Sequence, residues 1–252
     1  MRDAYRELYR DSEAFFVRYG IWWGFILLLQ IQRARLETMG LTGVSQEIVA
    51  TILSLLDGLT GIGFGIDFVR QRLAGETLRL KALSVHNPRL WRSLGLMAAT
   101  TLPMYAVAIY DAAESGKDAT IFLLLAPVAI AWVMVCTTRW FVAYPKIALD
   151  LPGSTLRASW RLTRGNAWRL GVVLMLVLVP LLIGKALLSL AVFYLPNWQI
   201  PLLDVSLFSM LSAALFSVLC FAAEAAYCIV TVNVYLLLSG GVAAIPASRS
   251  ET

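Results

Sequence analysis

Three ionisable residues stand inside long apolar runs of this 252-residue chain: Asp57, Lys185 and Glu224. A charge at the centre of a bilayer costs at least about 2.5–3.5 kcal/mol on insertion scales and is seldom kept without a partner. Such groups act either as ion pairs that hold helices together or as steps on a proton or solute path, and both readings stay open here. Counted inward from the outer ends at about 1.5 Å per residue, Asp57 lies about 14 Å deep and Lys185 about 15 Å deep, which pairs them at one level. Glu224 falls near the depth of Arg139, and these two form the second expected pair. Asp67 lies near a cytoplasmic end within reach of Arg70, so it is set aside.

A second group of residues points to anions. The stretch LPGSTLRASWRLTRGNAWRL, from Leu151 to Leu170, lies between two apolar segments. Arg157, Arg161, Arg164 and Trp168 recur there at helical intervals on one face, with Leu156, Trp160, Thr163 and Ala167 on the adjacent one. A helix of this kind lies at the headgroups, its apolar groups in the acyl boundary and its guanidiniums on phosphate. Pro152-Gly153 makes a turn, Ser154 or Thr155 is placed to cap the helix, and Gly165-Asn166 interrupts it. The segment is either a site for an anionic headgroup or phosphorylated solute, or a plain interfacial anchor, the simpler reading.

The remaining chemistry-bearing residues do not converge. His86 is the only histidine and sits beside Asn87-Pro88, a surface turn without companion ligands. Cys136, Cys220 and Cys228 fall in apolar runs without CxxC spacing, so buried thiols are expected and a zinc site or disulfide framework is not. SGKD at Ser115 lacks the phosphate-loop pattern. Gly61 and Gly65 form a GxxxG pair suited to close helix packing, with Gly63 between them. The chain is therefore expected to be no enzyme and to hold no metal or cofactor.

The elements that position these residues follow from composition. Hydrophobic residues make up 59% and charged residues 15%, and mean hydropathy is +0.73, far from the roughly 25% charge of soluble domains. Apolar blocks of about 18 residues or more suit helices crossing about 30 Å of hydrocarbon, and the alternation of a membrane barrel is missing. The expected fold is all-α and polytopic, with six spans: Ala14–Ile31, Ile48–Val69, Ser93–Ala112, Ala119–Thr138, Leu170–Leu195 and one inside Val205–Leu238. The last block, about 51 Å as helix, is too long for one upright span and too short for two with a turn. It reads as one helix that tilts or projects. Residues 1–13 form a polar or amphipathic amino-terminal segment without a cleavage signal, 14–238 the membrane domain, and 239–252 a flexible tail.

Charge sets the orientation, because loops rich in Lys and Arg stay cytoplasmic. One face collects 17 of the 21 Lys and Arg, including six in the connection from Arg70 to Arg92 and six in that from Arg139 to Arg169. The other face has only Arg33, Arg35 and Lys117. Both termini are therefore expected in the cytoplasm. The net charge of +5 calls for no nucleic acid, since the basic loops face an anionic leaflet.

The two basic connections align with each other. Gly75, Thr77, Leu78 and Arg79 match Gly153, Thr155, Leu156 and Arg157 at a spacing of 78, and Trp91, Arg92 and Pro103 match Trp168, Arg169 and Pro180 at 77. Arg79 is thus the counterpart of Arg157 at the headgroup level. A duplication of this kind is a parallel repeat about an axis along the membrane normal.

The run RWFVAYPKIALDLPGSTLRASWRLTRGNAWRL, from Arg139 to Leu170, resembles the hallmark segment of the multi-span membrane domain attached to some bacterial glycerophosphodiester phosphodiesterases, and of stand-alone YciC-type relatives. The residues that carry the resemblance are Arg139, Pro145, Ser159, Trp160, Thr163, Arg164, Gly165, Asn166 and Trp168. It implies a module of a bacterial inner membrane without phosphodiesterase activity, because the soluble catalytic barrel of about 250 residues has no room in this chain. Two functions remain: a non-enzymatic module that organises anionic lipids, a protein partner or a second copy of itself, and a small transporter using the intramembrane charges.

Overall fold

The computed structural model describes residues 12–38, 44–114, 119–140, 142–151, 156–194, 199–200 and 205–239. These are helical apart from turns and one two-residue antiparallel pair, β1 (Gln199–Ile200) with β2 (Val205–Ser206). The helices are α1 (Ser12–Thr38), α2 (Val44–Ala74), α3 (Pro88–Glu114), α4 (Ala119–Trp140), α5 (Ala143–Ala148), α6 (Leu156–Leu162), α7 (Ala167–Tyr194) and α8 (Leu207–Leu238), with a 3-10 turn at Arg79–Leu83. Three of them, over Phe15–Leu36, Ile48–Ala74 and Met210–Leu238, are long and apolar enough to cross a membrane. The chain is a membrane protein on that basis. Apolar side chains left exposed along these helices, Val17, Leu28, Leu55 and Leu211 among them, suit hydrocarbon as solvent. The third, fourth and fifth expected spans coincide in position with α3, α4 and α7, and the final apolar block runs as the single helix α8. The expected amino-terminal segment and tail lie almost wholly outside the described residues.

Helix ends follow local chemistry. Gly75, at φ +71°, ends α2 in the left-handed conformation that only glycine adopts without strain, and its N–H donates to the Gln71 carbonyl at 3.1 Å. Pro88 opens α3 at the first helical position, where its missing N–H is no loss, and the Asn87 side chain accepts from the Arg89 N–H at 3.1 Å as the cap. Gly165, at φ +85°, lies in the turn between α6 and α7, where the sequence predicts an interruption.

The chain divides into two compact units. In the first, Met1–Gly65 with Met175–Val230, α1, α2 and α8 are joined by an aromatic cluster. Phe15, Tyr19, Phe64 and Phe221 stack with ring centroids 4.9 to 6.4 Å apart, a geometry that adds about 0.5–1.5 kcal/mol per pair beyond area burial. The Trp23 indole donates to the Ser217 hydroxyl at 3.1 Å.

In the second, Ile66–Leu174 with Thr231–Thr252, α3 and α4 pack along each other. Pro103 inside α3 removes the N–H that would reach the Ala99 carbonyl. The Trp132 indole on α4 donates to that carbonyl at 3.1 Å, so the break is repaired from the neighbouring helix. Val142, Ala143, Ile147 and Ala148 bury the short α5.

Candidate functional site

The intramembrane charges of the first unit sit on α1, α2 and α8. Asp57 is held by Arg33, with Nη2 to Oδ2 at 3.4 Å, and the same guanidinium reaches the Ser54 hydroxyl at 3.3 Å. Arg33 lies in the last third of α1 and reaches across to α2. The expected partner, Lys185, has a side chain outside the described residues. Glu224 lies at the midpoint of the Met210–Leu238 span, against Gly61. A Cβ at position 61 would come within 3.3 Å of the Glu224 carboxyl carbon and Oε1. Gly61 follows Asp57 by one helical turn, so both carboxyl groups address one face of α2. The expected partner of Glu224, Arg139, belongs to the second unit, where its guanidinium lies 4.8 Å from the Trp160 ring centroid, within cation–π range.

The first basic connection is anchored by a carboxylate. Asp67, 1% exposed, accepts from the Leu78 N–H at 2.7 Å and the Arg79 N–H at 2.9 Å. Arg79 takes φ +48°, uncommon for a side chain of its size, and the two bonds to Asp67 hold it there. Its side chain is exposed, as a headgroup-level arginine requires. Asp67 was expected at Arg70; Arg70 instead pairs with Glu76 and donates to the Ala148 carbonyl at 3.2 Å. His86 is exposed in the turn before α3.

The second connection is anchored by a carbonyl. Arg139, at the end of α4, has its backbone oxygen contacted by the hydroxyls of Ser159 at 2.8 Å and Thr163 at 3.3 Å. Both hydroxyl residues are fully buried, which turns the opposite face of α6 outward. Leu156, Arg157, Trp160, Arg161 and Arg164 are exposed, and Trp168 is 82% exposed. Among the described residues, Arg157, Arg161 and Arg164 have no ion-pair partner. Of the face read from the sequence, Arg157 and Arg161 lie on α6 itself, Arg164 lies in the turn after it and Trp168 on α7, while Thr163, expected on the adjacent apolar face, is buried against the Arg139 carbonyl. The proposed caps, Ser154 and Thr155, lie outside the described residues.

One acid joins the two connections. Asp150, in the left-handed region at φ +57°, receives Arg92 at 2.7 Å and Arg89 at 3.6 Å. Beside it, Arg70 and Arg89 each keep a buried Nε without a hydrogen-bond partner, as does the Ser93 hydroxyl. Burial, and after it the Arg70 charge, lowers the Arg89 guanidinium from its ordinary pKa against the raising effect of Asp150 and Glu76.

Asp150, Arg33 and the buried hydroxyls carry little signal in the sequence. Asp150 is distinguished only as the single acid of its connection, as Glu76 is of the other. Cys136 and Cys228 are buried free thiols, and Cys220 is half-buried. Among the described residues no cluster of His, Cys, Asp and Glu fits a metal ion. Compared with protein-family models, curated proteins and solved structures, the chain gives no match.

Proposed function

We propose that this protein is a non-enzymatic module of a bacterial inner membrane, with six spans and both termini in the cytoplasm, that binds anionic phospholipid headgroups through its second basic connection. The observation that carries the reading is α6 and its flank: Arg157, Arg161 and Arg164 stand exposed, without acidic partners among the described residues, beside the exposed Leu156, Trp160 and Trp168. Guanidiniums among aromatic and aliphatic groups match the boundary between phosphate and acyl chain. The similarity of Arg139–Leu170 to the membrane domain of glycerophosphodiester phosphodiesterases and YciC-type proteins agrees with a module of this kind. A surface that organises lipid also suits a protein partner or a second copy of the chain.

The test is lipid retention by the protein purified in an uncharged detergent and read by native mass spectrometry. Replacing Arg157, Arg161 and Arg164 together by Gln should lower retention of phosphatidylglycerol relative to phosphatidylcholine by roughly tenfold or more, at about 1 kcal/mol per basic residue near an anionic surface. Unchanged retention removes the reading.

A second reading, a small transporter, is favoured by the Arg33–Asp57 pair and by Glu224 at the middle of α8. Charges at that depth are costly to keep for structure alone. Water access to Asp57 separates the two readings.

A further inference from the structure

We infer that Arg70, Arg89 and Ser93 form a binding site for a phosphate oxyanion, separate from the headgroup surface of α6. Arg89 and Ser93 are one turn apart on α3, so they share a face. Helical side chains lean towards the preceding turn, which aims the Ser93 hydroxyl at Arg89. Ser93 is 2% exposed, and its hydroxyl has no hydrogen-bond partner. A serine inside a helix ordinarily bonds back to a carbonyl one turn earlier, as Thr100 and Thr101 do further along α3. Ser93 forgoes that bond. The Nε donors of Arg70 and Arg89 are likewise buried and, among the described residues, unmatched, and a buried donor without an acceptor is costly.

The charges suit an anion. Arg70 pairs with Glu76, while Arg89 and Arg92 share the single carboxylate of Asp150. Burial, and after it the Arg70 charge, lowers the Arg89 guanidinium from its ordinary pKa, and an anion between the two arginines relieves that repulsion. Guanidinium forks match phosphate oxygens geometrically, and a hydroxyl adds a third bond. Glu76, half exposed, is the group an incoming phosphate would displace from Arg70. The same chemistry fits a lipid phosphodiester or free phosphate.

The experiment titrates the full chain, in an uncharged detergent, with inorganic phosphate against chloride at equal ionic strength, and with dioctanoyl phosphatidylglycerol, by calorimetry. The lipid titration is repeated with Arg157, Arg161 and Arg164 replaced by Gln, which removes the α6 surface and keeps this site. Binding of phosphate, weakened at least about tenfold by Arg89→Gln and about threefold by Ser93→Ala, assigns the site to a free anion. The same pattern with phosphatidylglycerol alone assigns it to a headgroup. Ser93→Ala removes only an unsatisfied hydroxyl, so it should fold with an unchanged or higher Tm without ligand. No binding of either probe, or affinities that Ser93→Ala leaves unchanged, overturns the site. Loss of retention in the α6 variant alone leaves this site standing, so the two proposals fail separately.

Discussion

In the connection from Arg70 to Arg92 a buried carboxylate accepts backbone N–H groups, whereas in that from Arg139 to Arg169 a backbone carbonyl accepts side-chain hydroxyls. Other parts correspond, although the second connection also holds α5. Each begins from the end of a long helix, forms a short helix, passes through a four-residue turn closed by an asparagine N–H bond (Asn87 to Ser84, Asn166 to Thr163), and enters another long helix. The difference lies in what happens to the arginines. In the first connection Arg70, Arg89 and Arg92 are taken up by Glu76 and Asp150; in the second Arg157, Arg161 and Arg164 are left to the surroundings. The first connection has its arginines paired with acids, one of which, Asp150, is lent by the second. The second is held by neutral bonds and presents its charge outward, which suits a surface that meets anions.

This contrast can be broken most sharply at Asp67. Replacing it by Ala strands the Leu78 and Arg79 N–H groups, and bonds to a charged acceptor are worth about 1.5–3 kcal/mol each. A loss of about 3 kcal/mol or more should appear in equilibrium unfolding in mixed detergent, and a loss below about 1 kcal/mol would mean the carboxylate is no anchor. The counterpart, Ser159→Ala with Thr163→Val, removes two neutral bonds to the Arg139 carbonyl and should cost about 1–2 kcal/mol in the same assay. An effect as large as that of Asp67→Ala would erase the distinction between charged and neutral anchoring. The smallest change is expected from Asp150→Asn. Its pair with Arg92 is half exposed, and such pairs are worth up to about 1 kcal/mol. That effect should shrink as salt rises from low to physiological concentration, and independence of salt would show that the pairs are sealed from solvent.

Much of the architecture was legible because it rests on local terms. Apolar runs placed the helix positions to within several residues, and Gly165-Asn166 marked the break between α6 and α7. The exposure of Arg157, Trp160 and Arg161 on α6 agrees with helical spacing, whereas the inward turn of Thr163 does not. What was not legible depends on where a side chain goes after leaving its helix. Arg33 falls by position beyond the first expected span, yet it lies within α1 and its guanidinium pairs with Asp57 on α2, a contact between helices that spacing along one helix does not encode. Asp67 was assigned to the nearest arginine, but its carboxylate turns to the backbone of residues 78 and 79. Asp150 contacts arginines from which a helical hairpin separates it, a distance no periodicity encodes.

That separation bears on how the chain is assembled. Arg92 precedes Asp150 by 58 residues, and between them lie the rest of α3, α4 and the short α5. During synthesis the first arginines emerge long before their acid. The pairing is therefore a check on assembly: it forms only once α3 and α4 have folded back along each other. Until then Arg89 and Arg92 wait without the acid that receives them.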